Sequence, residues 1–338
     1  MAKRAPNWAD WPDERLLALR FCDLGLRLED SPLPARIAQL YAELAERGLR
    51  LRPHCWLAEE WFSPDGVPGI AIPFYLAHPR LMRLEARQMF EVEGGGARDC
   101  LRLLRHEAGH AYDTAYGLRH RPRWRRVFGD PRRPYPRSYR PRPESRRHVQ
   151  HLDWWYAQAH PTEDFAETFA VWLAPRSDWR RRYAGWPALA KLEYVDRLMA
   201  GLAGRPPLRR SRRHVEPIAA SRETLAEHYA RKRRHYGADV PEPCDEALER
   251  LFAPAPRARR RAATLLKRIG PALCRICARH IGQQPYAVAQ VLNALLARCR
   301  ALDLRVGRPE AQVRDDLLVF LTVQTLHAFQ DRHYRIPL

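Results

Sequence analysis

Residues 106–110 read His-Glu-Ala-Gly-His. Side chains four apart stand one turn apart on one helix face, so His106 and His110 can offer their imidazoles to a single metal ion. Glu107 projects beside them, too far round to ligate but suited to taking a proton from a metal-activated water. A catalytic zinc wants a third protein ligand and leaves its fourth position to water. The flanks Leu101, Leu104, Ala108, Ala111 and Ala115 form an apolar stripe that buries this helix. Buried imidazoles beside a carboxylate need partners, and a metal ion supplies them.

Position decides where the third ligand can lie. A metzincin continuation would need Gly at 113 and His at 116; those positions hold Asp113 and Tyr116, which excludes it. Downstream, residues 160–170 read His-Pro-Thr-Glu-Asp-Phe-Ala-Glu-Thr-Phe-Ala. As a helix, this segment sets Glu163 and Glu167 on one face, while Phe165, Phe169 and Trp172 face the core. One carboxylate can ligate zinc while the other accepts a hydrogen bond from a ligand histidine. The plainer alternative is a solvated acidic first turn favoured by the helix dipole.

The elements that must carry these residues follow from period and punctuation. Apolar spacing of three and four predicts helices at 13–28 and 34–48. Residues 49–62 and 69–78 alternate or run apolar about a Pro64-Asp65-Gly66 turn and predict strands, the second at an edge or bulge because Pro73 cannot donate to a ladder. Such an edge could pair with an extended peptide. Gly94, Gly95 and Gly96 break the chain before a helix from Ala97 to Tyr116. Residues 119–147 are a run of arginine, proline and aromatics, too proline-rich for long helices, and predict a functional or mobile loop bordering the cleft. Pro161 suits a first helical position and Pro175 an end. Residues 187–203 read as helix and 205–214 as a linker. Beyond it the period is helical throughout, at 221–236, 243–252, 257–281 with a kink at Pro271, 284–302 and 309–334. The expected fold is α+β, with a mixed domain over 1–205 and an all-α domain of unknown role over 206–338.

The residues at this point carry a resemblance. HEAGHAYDTAYG followed by EDFAETF is similar to the gluzincin metallopeptidases. It most resembles the catalytic domain of anthrax lethal factor and a bacterial family of zinc-binding metallopeptidases. In that family a His-Pro-x-Glu-Asp-x-Ala-Glu-Thr segment follows the His-Glu-x-x-His helix. Here it runs from His160 to Thr168, and Phe128-Gly129-Asp130 also fits. The resemblance implies a zincin-like domain, with a small mixed sheet and an active-site helix. It implies Zn2+ held by His106, His110 and Glu163, with Glu107 as general base and Glu167 bonded to a ligand. It also implies a peptide or protein substrate. Tyr156, seven residues before the ligand glutamate, takes the place of a tyrosine that stabilises the transition state. A phenol can donate to an oxyanion without titrating near neutral pH. Asp113 matches as a supporting group. Nothing in the resemblance covers 206–338.

Composition bounds the rest. The chain has 338 residues, 46% of them hydrophobic, enough for about two domains with real cores. Fifty-nine Lys and Arg oppose 39 Asp and Glu, a formal charge of +20 that could attract nucleic acid, anionic lipid or acidic proteins. All but four of those basic residues are arginine, and with abundant Ala, Leu, Pro and Gly that skew has the look of GC-rich codon usage. Nucleic acid is therefore a possible but not favoured partner. Seven scattered cysteines suit reduced thiols, with Cys274 and Cys277 as core residues of one helix. No apolar signal core opens the chain, and no run approaches the roughly 18–20 apolar residues of a membrane span, so the expected location is cytoplasmic, with no membrane partner. The competing reading is a non-enzymatic regulator that binds nucleic acid or protein and keeps a structural or vestigial zinc site. An intact Glu107 argues against it, because a structural site has no need of a base.

Overall fold

A computed structural model of the chain describes residues 8–236, 245–252, 260–328 and 336–337. Cys244, and the outer parts of the expected helices at 243–244, 257–259 and 329–334, lie outside the described residues. The chain divides into two compact units. The first holds the described residues up to Leu84 and Val92–His228; the second holds Glu85–Glu91 and the described residues from Tyr229 on. The architecture is mostly helical with one small parallel sheet, an α+β arrangement.

The first unit is built round helix α4 (Ala97–Tyr116). Gly96 sits in an extended conformation before it, and Gly117 closes it with φ 58°, sending its N–H to the carbonyl of Asp113. A left-handed closing residue is one that glycine adopts without a Cβ penalty. Burial of α4 is wider than a single stripe: from Cys100 to Tyr116 only Arg102, Arg105 and His110 escape it. The helix is thus surrounded on most sides. α2 (Leu33–Glu46) covers one side, where Arg105 makes a two-pronged bond to Glu43 at 2.7 Å on each arm. α6 (Pro161–Leu173) covers another and is buried along its whole length. His160 caps α6 by accepting the N–H of Thr162, and Pro161 occupies the first turn, where its missing donor costs nothing.

α4 and α6 cross at Gly109. A Cβ there would stand 2.8 Å from the Cα of Ala166, closer than real Cβ contacts allow. Ala166 lies between Glu163 and Glu167, so the crossing brings that acidic face onto the turn that carries His106 and His110. α8 (Ala188–Ala200) braces α6 from elsewhere through Lys191, which donates to the buried Asp164 at 2.5 Å.

The sheet is smaller than the sequence suggested. β1 (His54–Ala58) and β2 (Gly69–Pro73) pair in parallel, from His54 opposite Gly69 to Ala58 opposite Pro73. Phe74–Ala77 turns into a 3-10 helix instead of extending β2. The outer edge of β2 is not open to a peptide, contrary to expectation. The N–H of Ala71 is taken by Phe62 at 2.8 Å, that of Gly69 by Val67 at 2.8 Å, and Pro73, the next outward position, has none.

Two expected helices are also shortened. Residues 13–28 yield only α1 (Asp13–Leu17), followed by a 3-10 turn at Phe21–Asp23. Here long-range pairing wins over local period: Arg20 bridges Thr224, and the N–H groups of Phe21 and Cys22 go to Glu223 and Ser221 at 3.0 Å. The same pairing holds 221–224 out of the later helix, α9 (Leu225–Tyr236). The arginine- and proline-rich segment contains one short helix, α5 (Pro122–Phe128), pinned by the buried Trp124 and Phe128 against Phe165.

From Asp245 on, the described part of the second unit has helices at Asp245–Phe252, Ala262–Ile281, Pro285–Ala301 and Glu310–Ala328, with Ile336–Pro337 extended. Its core includes Cys274, Cys277 and Cys299. Burial pushes the thiols of Cys274 and Cys299 up to about 12, so they pack as neutral groups. The helix at Ala262–Ile281 continues through Pro271. Among the described residues no helix is long and apolar enough to cross a membrane.

The crossing at Gly109 makes a prediction. Alanine is the better helix former, but Gly109→Ala is expected to cost about 1–3 kcal/mol by overpacking against Ala166. A lower urea midpoint is the expected result; an unchanged or raised one would show that the helices can part freely.

Candidate metal centre

Three atoms converge beside this crossing. His106 Nε2, His110 Nε2 and Glu163 Oε2 form a triangle with sides of 3.0, 3.1 and 3.1 Å. Donors about 2.0 Å from a tetrahedral zinc would lie about 3.3 Å apart, so one ion can touch all three. His106 is 2% exposed and Glu163 4%, while the His110 side chain keeps 11%. The centre is buried yet reachable from one side.

His106 Nδ1 lies 2.9 Å from Glu167 Oε1 and donates to it, which leaves Nε2 to face Glu163 and His110. Glu167 is fully buried, and its other oxygen accepts the N–H of Leu152 at 2.8 Å. Burial alone would lower the affinity of His106 for a second proton, but bonds to Glu163 and Glu167 reverse the sign and raise it well above the usual range. Burial pushes Glu163 the other way, and the two histidines outweigh it to hold its carboxyl well below the usual range. The site therefore favours positive charge at its centre, and the donor set of two imidazoles and a carboxylate fits zinc.

Glu107 sits on the same helix, 6% exposed, and its Oε2 has no hydrogen-bond partner. Burial raises its pKa, and the nearby histidines offset this only in part. A buried carboxylate with a free oxygen beside a cation site is arranged to accept a proton.

Tyr156 approaches from the segment before α6, its ring centre 5.6 Å from that of His106. Trp154 and Trp155, just ahead of it, take left-handed conformations with φ of 61° and 56°. Each costs about 1 kcal/mol or more and must be held by surroundings. The hydroxyl of Tyr139 donates to the Trp154 carbonyl at 2.8 Å, and His151 donates through Nε2 to the carbonyl of Arg102 at 2.9 Å. Burial, then the charges of Glu163 and Glu107, keep the Tyr156 phenol protonated far above neutral pH.

Each residue picked from sequence thus falls in one place: His106, Glu107 and His110 on α4, Glu163 and Glu167 on α6, and Tyr156 beside them. Asp113 has a different task. It binds the N–H of Arg119 at 2.7 Å and the Arg119 guanidinium, securing the chain just after α4. Tyr135 escaped the sequence reading. Its hydroxyl donates to Glu163 Oε1 at 2.6 Å and also meets Thr162 Oγ1. It lies in the proline-rich segment, where no periodicity marks one aromatic above another. A second group, Glu59, Glu223 and His228, is less buried, with both glutamates part exposed.

Residues 83–179 match the model of a protein family described as "Putative zinc-binding metallo-peptidase". No curated protein and no solved structure matches the chain. The matched stretch contains all of His106, Glu107, His110, Tyr156, Glu163 and Glu167. Over that stretch the chain is similar to zinc-binding metallopeptidases.

The geometry ranks the ligands. After dialysis against zinc-free buffer, wild-type protein should keep about one zinc per chain by elemental analysis. Glu163→Ala should lose it, and Glu167→Gln should bind on the order of 10- to 100-fold more weakly while still loading at high zinc. Equal retention by wild type and Glu163→Ala would remove Glu163 from the ligand set.

Proposed function

We propose that this chain is a zinc-dependent metallopeptidase of gluzincin type, in which the first unit carries a zincin-like catalytic domain. The observation that carries the reading is the 3.0–3.1 Å triangle of His106, His110 and Glu163 with the unpartnered oxygen of Glu107 beside it. The family match over 83–179 supports it.

Zinc in that triangle would supply a Lewis acid that lowers the pKa of water to about 7 and polarises a peptide carbonyl. Glu107 takes the proton from the attacking water on its carboxylate as the water oxygen bonds to the carbonyl carbon. It then delivers that proton to the amide nitrogen as the C–N bond breaks, so that the amine leaves neutral. Tyr156 donates a hydrogen bond to the oxyanion that forms at the former carbonyl. Glu167 keeps His106 in the tautomer with a bare Nε2. The substrate on this reading is a peptide or protein, entering from the side on which His110 is partly exposed.

A purely structural zinc site would leave Glu107 as an uncompensated buried carboxylate with nothing to do. The variant Glu107→Gln separates the two readings. It should retain about one zinc per chain but cleave a mixed library of quenched fluorescent peptides at least about 100-fold more slowly than wild type. Equal turnover by the two proteins would sink the proposed role of Glu107. No cleavage by zinc-loaded wild type across the library would favour the structural reading.

A further inference from the structure

Between Gly129 and Gln150 the first unit contains no helix and only the two-residue strand Ser138–Tyr139. Side-chain bonds fasten this stretch instead. His160 donates through Nε2 to the carbonyl of Arg133 at 2.8 Å, and Gln158 binds the N–H and carbonyl of Arg142 at 2.8 and 3.0 Å. Of these fastenings, that of Tyr135 reaches a proposed metal ligand directly, through Glu163 Oε1. Pro134 and Pro136 flank Tyr135, so its backbone is confined to extended conformations. Its ring stacks on the cap residue His160 with centroids 4.0 Å apart and planes 21° from parallel. Yet the residue as a whole is 54% exposed. It is a surface residue of a loop whose hydroxyl alone is delivered to the centre.

We propose that Tyr135 is a positioning residue that couples metal loading to closure of the arginine- and proline-rich segment. The inference rests on the metal-centre reading given above. With Oε1 engaged by the phenol, Glu163 presents Oε2 alone to the triangle, so the carboxylate is offered through one oxygen in a set orientation. Without the phenol, the carboxylate can turn and offer both oxygens. Because the phenol stabilises the ligating arrangement of Glu163, the metal must stabilise the docked arrangement of the segment by the same factor. Loading and loop closure are then two readings of one equilibrium. Arg132 and Arg137 lie on either side of Tyr135, both are exposed and neither is followed by proline, so trypsin reports whether the segment is docked.

Tyr135→Phe removes the hydroxyl and keeps the ring that stacks on His160. Three measurements on full-length protein test the coupling. These are zinc affinity by competition with a chromophoric chelator, the visible spectrum of the Co2+-loaded protein, and the rate of tryptic cleavage after Arg132 and Arg137 with and without zinc, followed by mass spectrometry. The variant should bind zinc on the order of 10-fold more weakly. Its cobalt spectrum at saturation should change, and zinc should slow cleavage at those arginines in wild type but much less in the variant. A ring that merely packs would alter neither the saturated cobalt spectrum nor the zinc-dependent protection. Equal affinity, identical spectra and equal protection in the two proteins would overturn the proposal while leaving the metal centre intact. A wild type that binds no zinc would overturn both. A wild type that binds zinc and shows the Tyr135 effect, yet cleaves no peptide, would sink the peptidase reading and uphold this one.

Discussion

The methyl-free contact between Gly109 and the backbone of Ala166 sets the distance between two helices, and the rest of the centre depends on that distance. A glycine in a helix interior costs about 1 kcal/mol relative to alanine. Here it lets α6 approach until the carboxylates of Glu163, a turn before Ala166, and of Glu167, just after it, reach His106. Glu163 meets Nε2 of that ring and Glu167 meets Nδ1. The two bonds fix both the position and the tautomer of one imidazole, and His110 then needs only its place one turn on.

Electrostatics gives this packing its direction. Glu107, Glu163 and Glu167 are all buried, and among the described residues no arginine or lysine pairs with them. Elsewhere in the unit buried acids are neutralised by bases: Glu43 by Arg105, Asp113 by Arg119 and Asp164 by Lys191. Three buried carboxylates that share only the imidazoles of His106 and His110 would be costly in a low-dielectric interior unless a further cation joined them. A metal ion between His106, His110 and Glu163 is the compensation this arrangement suits, with Glu107 beside it keeping an unpartnered oxygen.

Local pattern was a sound guide where an element answers to its own neighbours. The extents of α4 and α6 follow from Gly96, Gly117, Pro161 and Pro175, which act through their own backbone torsions and missing donors. It failed where distant chain competes for the same groups. Residues 19–25 have helical period, but the N–H groups of Phe21 and Cys22 pair with Glu223 and Ser221. Residues 74–77 read as strand, but the chain turns after Pro73. The edge of β2 looked open because nothing in its own sequence says that Phe62 returns to cover Ala71.

The same division runs through the centre. His106, Glu107 and His110 were legible because a helix converts a four-residue spacing into shared direction without outside help. Glu163 and Glu167 were legible as a pair on one face, but their separate duties, one toward the triangle and one behind His106, belong to the crossing with α4. Tyr135 and the bond from Leu152 to Glu167 come from irregular chain, where no period links sequence position to direction in space. The sequence by itself determined which chemistry each helix could present and on which face. Only the tertiary structure decided which oxygen meets which nitrogen, because that depends on how closely two helices approach and on loops whose conformation is set by what they touch.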